Sequence, residues 1–260
     1  MDARASANIP VGVPASAAEH ERAEHAREVG HLDPHVAHQF DDAEQQRAAS
    51  TLGMWAFLAT EVMFFGALFL AYAVYRASYQ EPFAAASEHL SRWFGAVNTL
   101  ILLGSSFTVA LAVHYAREGD GTRVVRCLLF TILLGTAFLG IKAIEWTREI
   151  RGGLLPGATF NHKLFAPPAD AHGSDGPGPS EFSRHAELFY TAYFVMTGLH
   201  ATHMIVGLGL LLWLVYITRR GRITRQYNTP VDMIGLYWHF VDVVWIFLFP
   251  LLYLIHAEGH

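Results

Sequence analysis

LGMWAFLATEVMFFGALFLAYAVY, residues 52–75, holds one acid, Glu61, with no base and no proline. A helix crosses the hydrocarbon core of a bilayer in about 20 residues, so this stretch is long enough to span one. Four further apolar runs follow, at 93–116, 127–146, 188–216 and 233–255. Membrane β-strands are about ten residues long and alternate in polarity, which runs of this length do not. Hiding five such runs inside a soluble core would leave too little polar sequence to wrap them. The expected fold class is all-α, an integral membrane bundle of five transmembrane helices over residues 50–257.

Composition agrees. Of 260 residues, 52% are hydrophobic and 16% charged, against about 25% charged in an average soluble domain. The formal charge of −5 arises in residues 1–49, which carry nine acids and four arginines; the rest holds fourteen of each sign. A nucleic-acid partner is therefore not expected, since it calls for a basic excess on one face. Cys127 is the sole cysteine, which excludes an intrachain disulfide and a Cys-based zinc or iron–sulfur site. Residues 1–49 lack the apolar core of a signal peptide and are too acidic for a transit peptide. They read as a mobile tail on a protein of the bacterial inner membrane. Their five histidines (His20, His25, His31, His35, His38) suit either a metal tract or a solvated tail.

Cytoplasmic loops keep the excess of Lys and Arg. Arg117, Arg123 and Arg126 lie between the second and third runs, and Arg219, Arg220, Arg222 and Arg225 between the fourth and fifth. Loop 76–92 has only Arg76 and Arg92. The N-terminus is thus expected to be cytoplasmic, and the C-terminus and the 149–187 loop external. Pro167, Pro168 and the Gly-rich 173–179 stretch mark that loop as irregular.

Ionisable side chains at membrane depth are costly and point to function or to a partner. Within the runs they are Glu61, His114, Lys142, Glu145, His200, His203, His239 and Asp242. His114 stands one turn from its helix end and reaches toward water. Lys142 with Glu145, His200 with His203, and His239 with Asp242 are i, i+3 pairs that share a helix face. Lys142 and Glu145 read as a structural ion pair. His200, His203, His239 and Asp242 fit two readings: a zinc or iron shell, or hydrogen bonding between helices. Glu61 has no charged neighbour on its own helix, so it needs a proton or a partner from another. At about 1.5 Å per residue, Glu61 and Asp242 lie about 14 Å inside their cytoplasmic ends and His203 about 20 Å. Glu61 is therefore expected to meet His203 rather than His200.

Four segments in order carry a resemblance. They are YWHFVDVVWIFLFPLLYL (237–254), GMWAFLATEVMFF (53–65), GLHATHMIVG (198–207), and Asn98-Thr99 with Leu103-Gly104-Ser105-Ser106. Together they resemble cytochrome c oxidase subunit III over all five runs. The resemblance places the family's carbodiimide-reactive glutamate on Glu61. It implies an accessory subunit of a proton-pumping haem-copper oxidase, with no catalytic residue and no metal of its own. Haems and copper then belong to partners, chiefly catalytic subunit I, with subunit II and other respiratory subunits alongside. Full-length relatives have seven helices in a V with phospholipid in the cleft, whereas this chain has five, and bound phospholipid remains a candidate cofactor. The family role implied is efficient proton uptake by the catalytic subunit and protection from turnover-linked inactivation. Glu61 and the Tyr-Trp-His-Phe-Val-Asp core incline toward cytochrome c as electron donor. Third subunits of quinol oxidases and the subunit III-like partners of nitric oxide reductases are the alternatives. A stand-alone metal-dependent membrane oxidoreductase is the reading from a different class.

Overall fold

The computed structural model describes residues 39–40, 42–165 and 180–254. The tail histidines, the Pro167–Pro168 pair, the 173–179 stretch and residue 255 lie outside the described residues. Contacts divide the chain into two units, 1–49 and 50–260.

Five helices are long and apolar enough to cross a membrane: α1 (Ala43–Ser78), α3 (Arg92–Glu118), α4 (Gly121–Arg151), α5 (Glu181–Arg219) and α6 (Thr229–Tyr253). Three of them, α1, α4 and α5, start from a side-chain cap. The Asp42 carboxylate accepts from the Gln45 backbone N–H at 2.7 Å, Asp120 from Arg123 at 3.0 Å, and Ser180 from Ser183 at 3.2 Å. These caps satisfy donors that the first helical turn leaves free. Gly119, at φ 83°, supplies the left-handed turn that reverses the chain from α3 into α4.

Three expectations are corrected here. Residues 43–49, read as tail, are helical, because Ala, Glu, Gln and Arg behind the Asp42 cap are strong helix formers. Loop 76–92 contains a short helix, α2 (Gln80–Glu88), whose Phe83, Ala84, Ala86 and Ser87 are buried. Its nine residues are too few for a span and too mixed in polarity to stand out. The 149–187 loop is partly built: α5 begins at Glu181, a 3₁₀ turn occupies His162–Phe165, and Leu154, Phe160 and Phe165 are buried.

Packing follows a heptad rule. On α3 the buried positions are Gly95, Asn98, Leu102, Ser105, Val109, Ala112 and Ala116. On α4 they are Val124, Leu128, Thr131, Gly135, Phe138, Lys142, Glu145 and Glu149. Alternating steps of three and four are the seam of left-handed helix packing. Trp238 of α6 lies over Gly135 and Gly207, where an added Cβ would meet its ring at 2.8 and 3.0 Å. Small residues thus admit the largest side chain at the bundle centre. Helix α1 buries only Leu58, Phe65 and Tyr72, every seventh residue. Trp55, Val62, Met63, Leu70 and Val74 on its flanks are exposed. Outward apolar faces of this kind suit lipid, which solvates them as water cannot.

Candidate functional site

Glu61 occupies the narrow seam of α1, one turn before Phe65, and faces α5. Its Oε2 lies 3.2 Å from His203 Nε2. The other imidazole nitrogen fixes the chemistry. Nδ1 is 2.8 Å from the Leu199 carbonyl, and a carbonyl only accepts, so Nδ1 carries a hydrogen. In neutral His203, Nε2 is then the bare acceptor. The contact with Glu61 therefore needs one proton between Oε2 and Nε2, as carboxylic acid with imidazole or as carboxylate with imidazolium. The pair is neutral overall either way, which suits its depth. Tyr237 donates its hydroxyl to the His203 carbonyl at 2.9 Å, and the Phe65 ring meets the imidazole with centroids 5.2 Å apart.

Both side chains are 19% exposed, half-buried rather than buried as the sequence reading had them. The opening is a groove of about 310 Å³ between α1 and its neighbours, walled by Met54, Phe57, Val206, Leu210 and Tyr237. It exists because α1 touches the bundle along one seam only. Glu61 and His203 supply the acid and base in a largely apolar wall, to which Thr202 adds a hydroxyl that donates to the Gly198 carbonyl.

The remaining candidates part company. His200, also expected to share a face with His203, is 1% exposed and faces the other way, between the rings of Phe138 and Trp245 at 5.5 and 5.3 Å. Three residues advance a helix by 300°, so an i, i+3 pair is about 60° apart, enough to divide it between two interfaces. Neither ring nitrogen of His200 has a hydrogen bond. His239 is half-buried, against the expectation of burial, and its Nδ1 lies 2.7 Å from Ser106 Oγ at the α3–α6 contact. Asp242 is buried, 3% exposed, and the Ser106 hydroxyl is the polar side chain that faces its carboxyl group. Of the four donors weighed as a metal shell, His239 and Asp242 share Ser106 as a neighbour, whereas His200 and His203 lie at two other interfaces.

Lys142 and Glu145 form a buried ion pair at 2.9 Å. Sequence reasoning missed its two other members. Lys142 also donates to the Tyr193 hydroxyl at 3.1 Å and to that of Tyr253. Tyr253 donates to the second Glu145 oxygen at 2.6 Å. The ammonium faces the rings of Tyr193, Trp245 and Tyr253 at 4.8, 5.1 and 5.2 Å. No spacing within one helix reveals a tyrosine supplied by another. His114, at the far end of α3, is 62% exposed and 3.4 Å from Glu118.

Comparison with known proteins agrees with this geometry. The family model for cytochrome c oxidase subunit III matches residues 37–151 and 179–257. Cytochrome c oxidase subunit 3 of Thermostichus vulcanus is 29% identical over 216 residues, covering 83% of this chain and 92% of that protein. Quinol oxidase subunit 3 of Bacillus spizizenii is 27% identical, covering 86% and 98%. Cytochrome bo(3) ubiquinol oxidase subunit 3 of Pseudomonas aeruginosa is 31% identical, covering 85% and 92%. A five-span membrane bundle carrying these motifs, matched along most of its length, belongs to the cytochrome c oxidase subunit III family, the accessory third subunits of haem-copper oxidases.

Proposed function

We propose that this chain holds no redox centre, binds the catalytic subunit of a haem-copper oxidase beside subunit II, and supports its assembly, stability and proton uptake. The observation that carries the proposal is the 3.2 Å contact of Glu61 Oε2 with His203 Nε2 at the mouth of a lateral groove, a contact that calls for one proton between the two atoms. A neutral pair that holds one exchangeable proton at membrane depth can pass it on without stranding a charge in lipid. The separate interfaces of His200 and His203, and the Ser106 hydroxyl that takes up His239, favour this over a metal shell held by the four with Asp242. Metal analysis of the purified chain separates the two readings: stoichiometric iron, copper or zinc lost on replacing those residues would establish the metal enzyme.

Glu61→Gln is the test of the proton role. Glutamine can donate its amide hydrogen to Nε2, so the contact survives while the exchangeable proton is lost. The variant complex should assemble with normal haem content, yet turn over more slowly or inactivate earlier. Normal turnover and lifetime, with assembly damaged only by Glu61→Ala, would make the pair purely structural.

Cytochrome c is the proposed electron donor, on the strength of Glu61 and the Tyr-Trp-His-Phe-Val-Asp segment. Relatives named for cytochrome c and for quinol are about equally similar. Oxygen uptake by the purified complex with reduced cytochrome c or with ubiquinol distinguishes them. The proposed home is the bacterial inner membrane, with the N-terminus cytoplasmic.

A further inference from the structure

The last two turns of α4 are two-faced. Glu145 and Glu149 are buried, and the Glu145 carboxylate is taken up by Lys142 and Tyr253. Arg148 and Arg151 stand on the outer face with Thr147, Ala143 and Ile144, and these five residues line a groove of about 350 Å³. The Thr147 hydroxyl donates to the Ala143 carbonyl at 2.7 Å, which leaves the floor of the groove apolar. Arg148 is held with its guanidinium 5.1 Å from the Phe94 ring of α3. Neither the Arg148 nor the Arg151 guanidinium has a hydrogen bond or an ion pair within 4 Å among the described residues, although Arg148 lies within electrostatic reach of the Glu149 carboxyl group.

We infer that this groove is a binding site for one anionic glycerophospholipid, its phosphodiester between Arg148 and Arg151 and its acyl chain along Ala143 and Ile144. The guanidiniums stand at the end of an apolar span, the depth at which the phosphates of a leaflet lie. Arginine binds phosphate with paired, charge-assisted N–H donors, and two guanidiniums one turn apart, about 4.5 Å along the axis, can share one phosphodiester. Arginine at a helix C-terminus also complements the helix dipole. That role needs neither an open apolar floor below the charge nor a ring from another helix to hold one guanidinium in place. The site lies on α4, away from the Glu61 groove of α1 and α5, and does not depend on the proton reading of that pair.

The test uses the intact oxidase complex, stripped of lipid in detergent and incubated with phosphatidylglycerol, phosphatidylcholine or glycerol phosphate. Retained molecules are counted by native mass spectrometry. The parent complex should keep one more phosphatidylglycerol than the Arg148→Gln/Arg151→Gln variant, with affinity lowered about thirtyfold in that variant. Arg148→Lys/Arg151→Lys should keep most of the binding. Ala143→Trp, which fills the groove and leaves both arginines, should also lose the lipid, and it keeps the test decisive if the double glutamine variant does not assemble. Equal retention of phosphatidylglycerol by parent and double glutamine variant would overturn the inference. So would equal retention of phosphatidylcholine at the site, binding of glycerol phosphate as tight as that of the lipid, or an acidic polypeptide found cross-linked at Thr147 in its place.

Discussion

Lys142 is the residue on which the bundle's polar interior turns. Its ammonium is satisfied by Glu145, Tyr193 and Tyr253 together, and those groups come from α4, α5 and α6. Removing one partner of a buried pair strands the other charge, at a cost of about 3 to 5 kcal/mol. Lys142→Met should therefore lower the thermal midpoint of the complex sharply. Lys142→Met/Glu145→Leu should do less harm than the single change, since no buried charge is left without its counterion. Tyr253→Phe removes hydrogen-bonding capacity but no charge and should cost about 1 to 3 kcal/mol. Differential scanning calorimetry of the three variants checks that order, and a double variant worse than Lys142→Met would contradict the ion-pair account. Glu61 is the contrasting case: it is half-buried on a lateral groove, and its replacement by Gln is expected to change turnover rather than the thermal midpoint.

At the scale of the element, small residues set how closely the helices approach. Gly135→Ala would bring a methyl to 2.8 Å from the Trp238 ring and 3.1 Å from Leu208, and overpacking of this kind costs about 1 to 3 kcal/mol. Gly140→Ala, one and a half turns along the same helix, meets nothing within 4 Å and should be nearly silent. The yield of assembled complex from the two variants tests whether Trp238 sets the α4–α5–α6 spacing; equal yields would argue against it. The five spans were legible in sequence because each apolar run exceeds any soluble core helix. Helix α2 was not, because its nine residues mix Glu and Ser with alanine. The ends of α1 and α5 were misplaced because helix-forming polar turns beyond the membrane carry no hydropathy signal. The meeting of Glu61 and His203 could be read from depth alone, since antiparallel helices share one ruler along the membrane normal. The separation of His200 from His203 could not, because rotation about the helix axis is fixed by Phe138 and Trp245, which come from other helices.

For the molecule as a whole, the distribution of basic residues between the two ends of the bundle carries the expected orientation in the membrane. The N-terminal end of α1 shares its side of the bundle with the α3–α4 and α5–α6 connections. That end carries Arg117, Arg123, Arg126, Arg219, Arg220, Arg222 and Arg225. The opposite end carries Arg76, Arg92, Arg148, Arg151, Lys163 and Arg184, two of which the lipid site on α4 would neutralise. Basic residues in short connections weigh most in setting topology, and the tight α3–α4 and α5–α6 connections hold the larger share, so the N-terminal end of α1 is expected inside. Single cysteines in a Cys127→Ser background decide it, because Thr159 and Arg222 are both exposed and stand at opposite ends. A membrane-impermeant maleimide applied to intact cells should label Thr159→Cys and leave Arg222→Cys untouched until the cells are broken. The reverse pattern would invert the topology and place the arginine-rich connections outside. Labelling of both in intact cells would show that the five helices do not all span the bilayer.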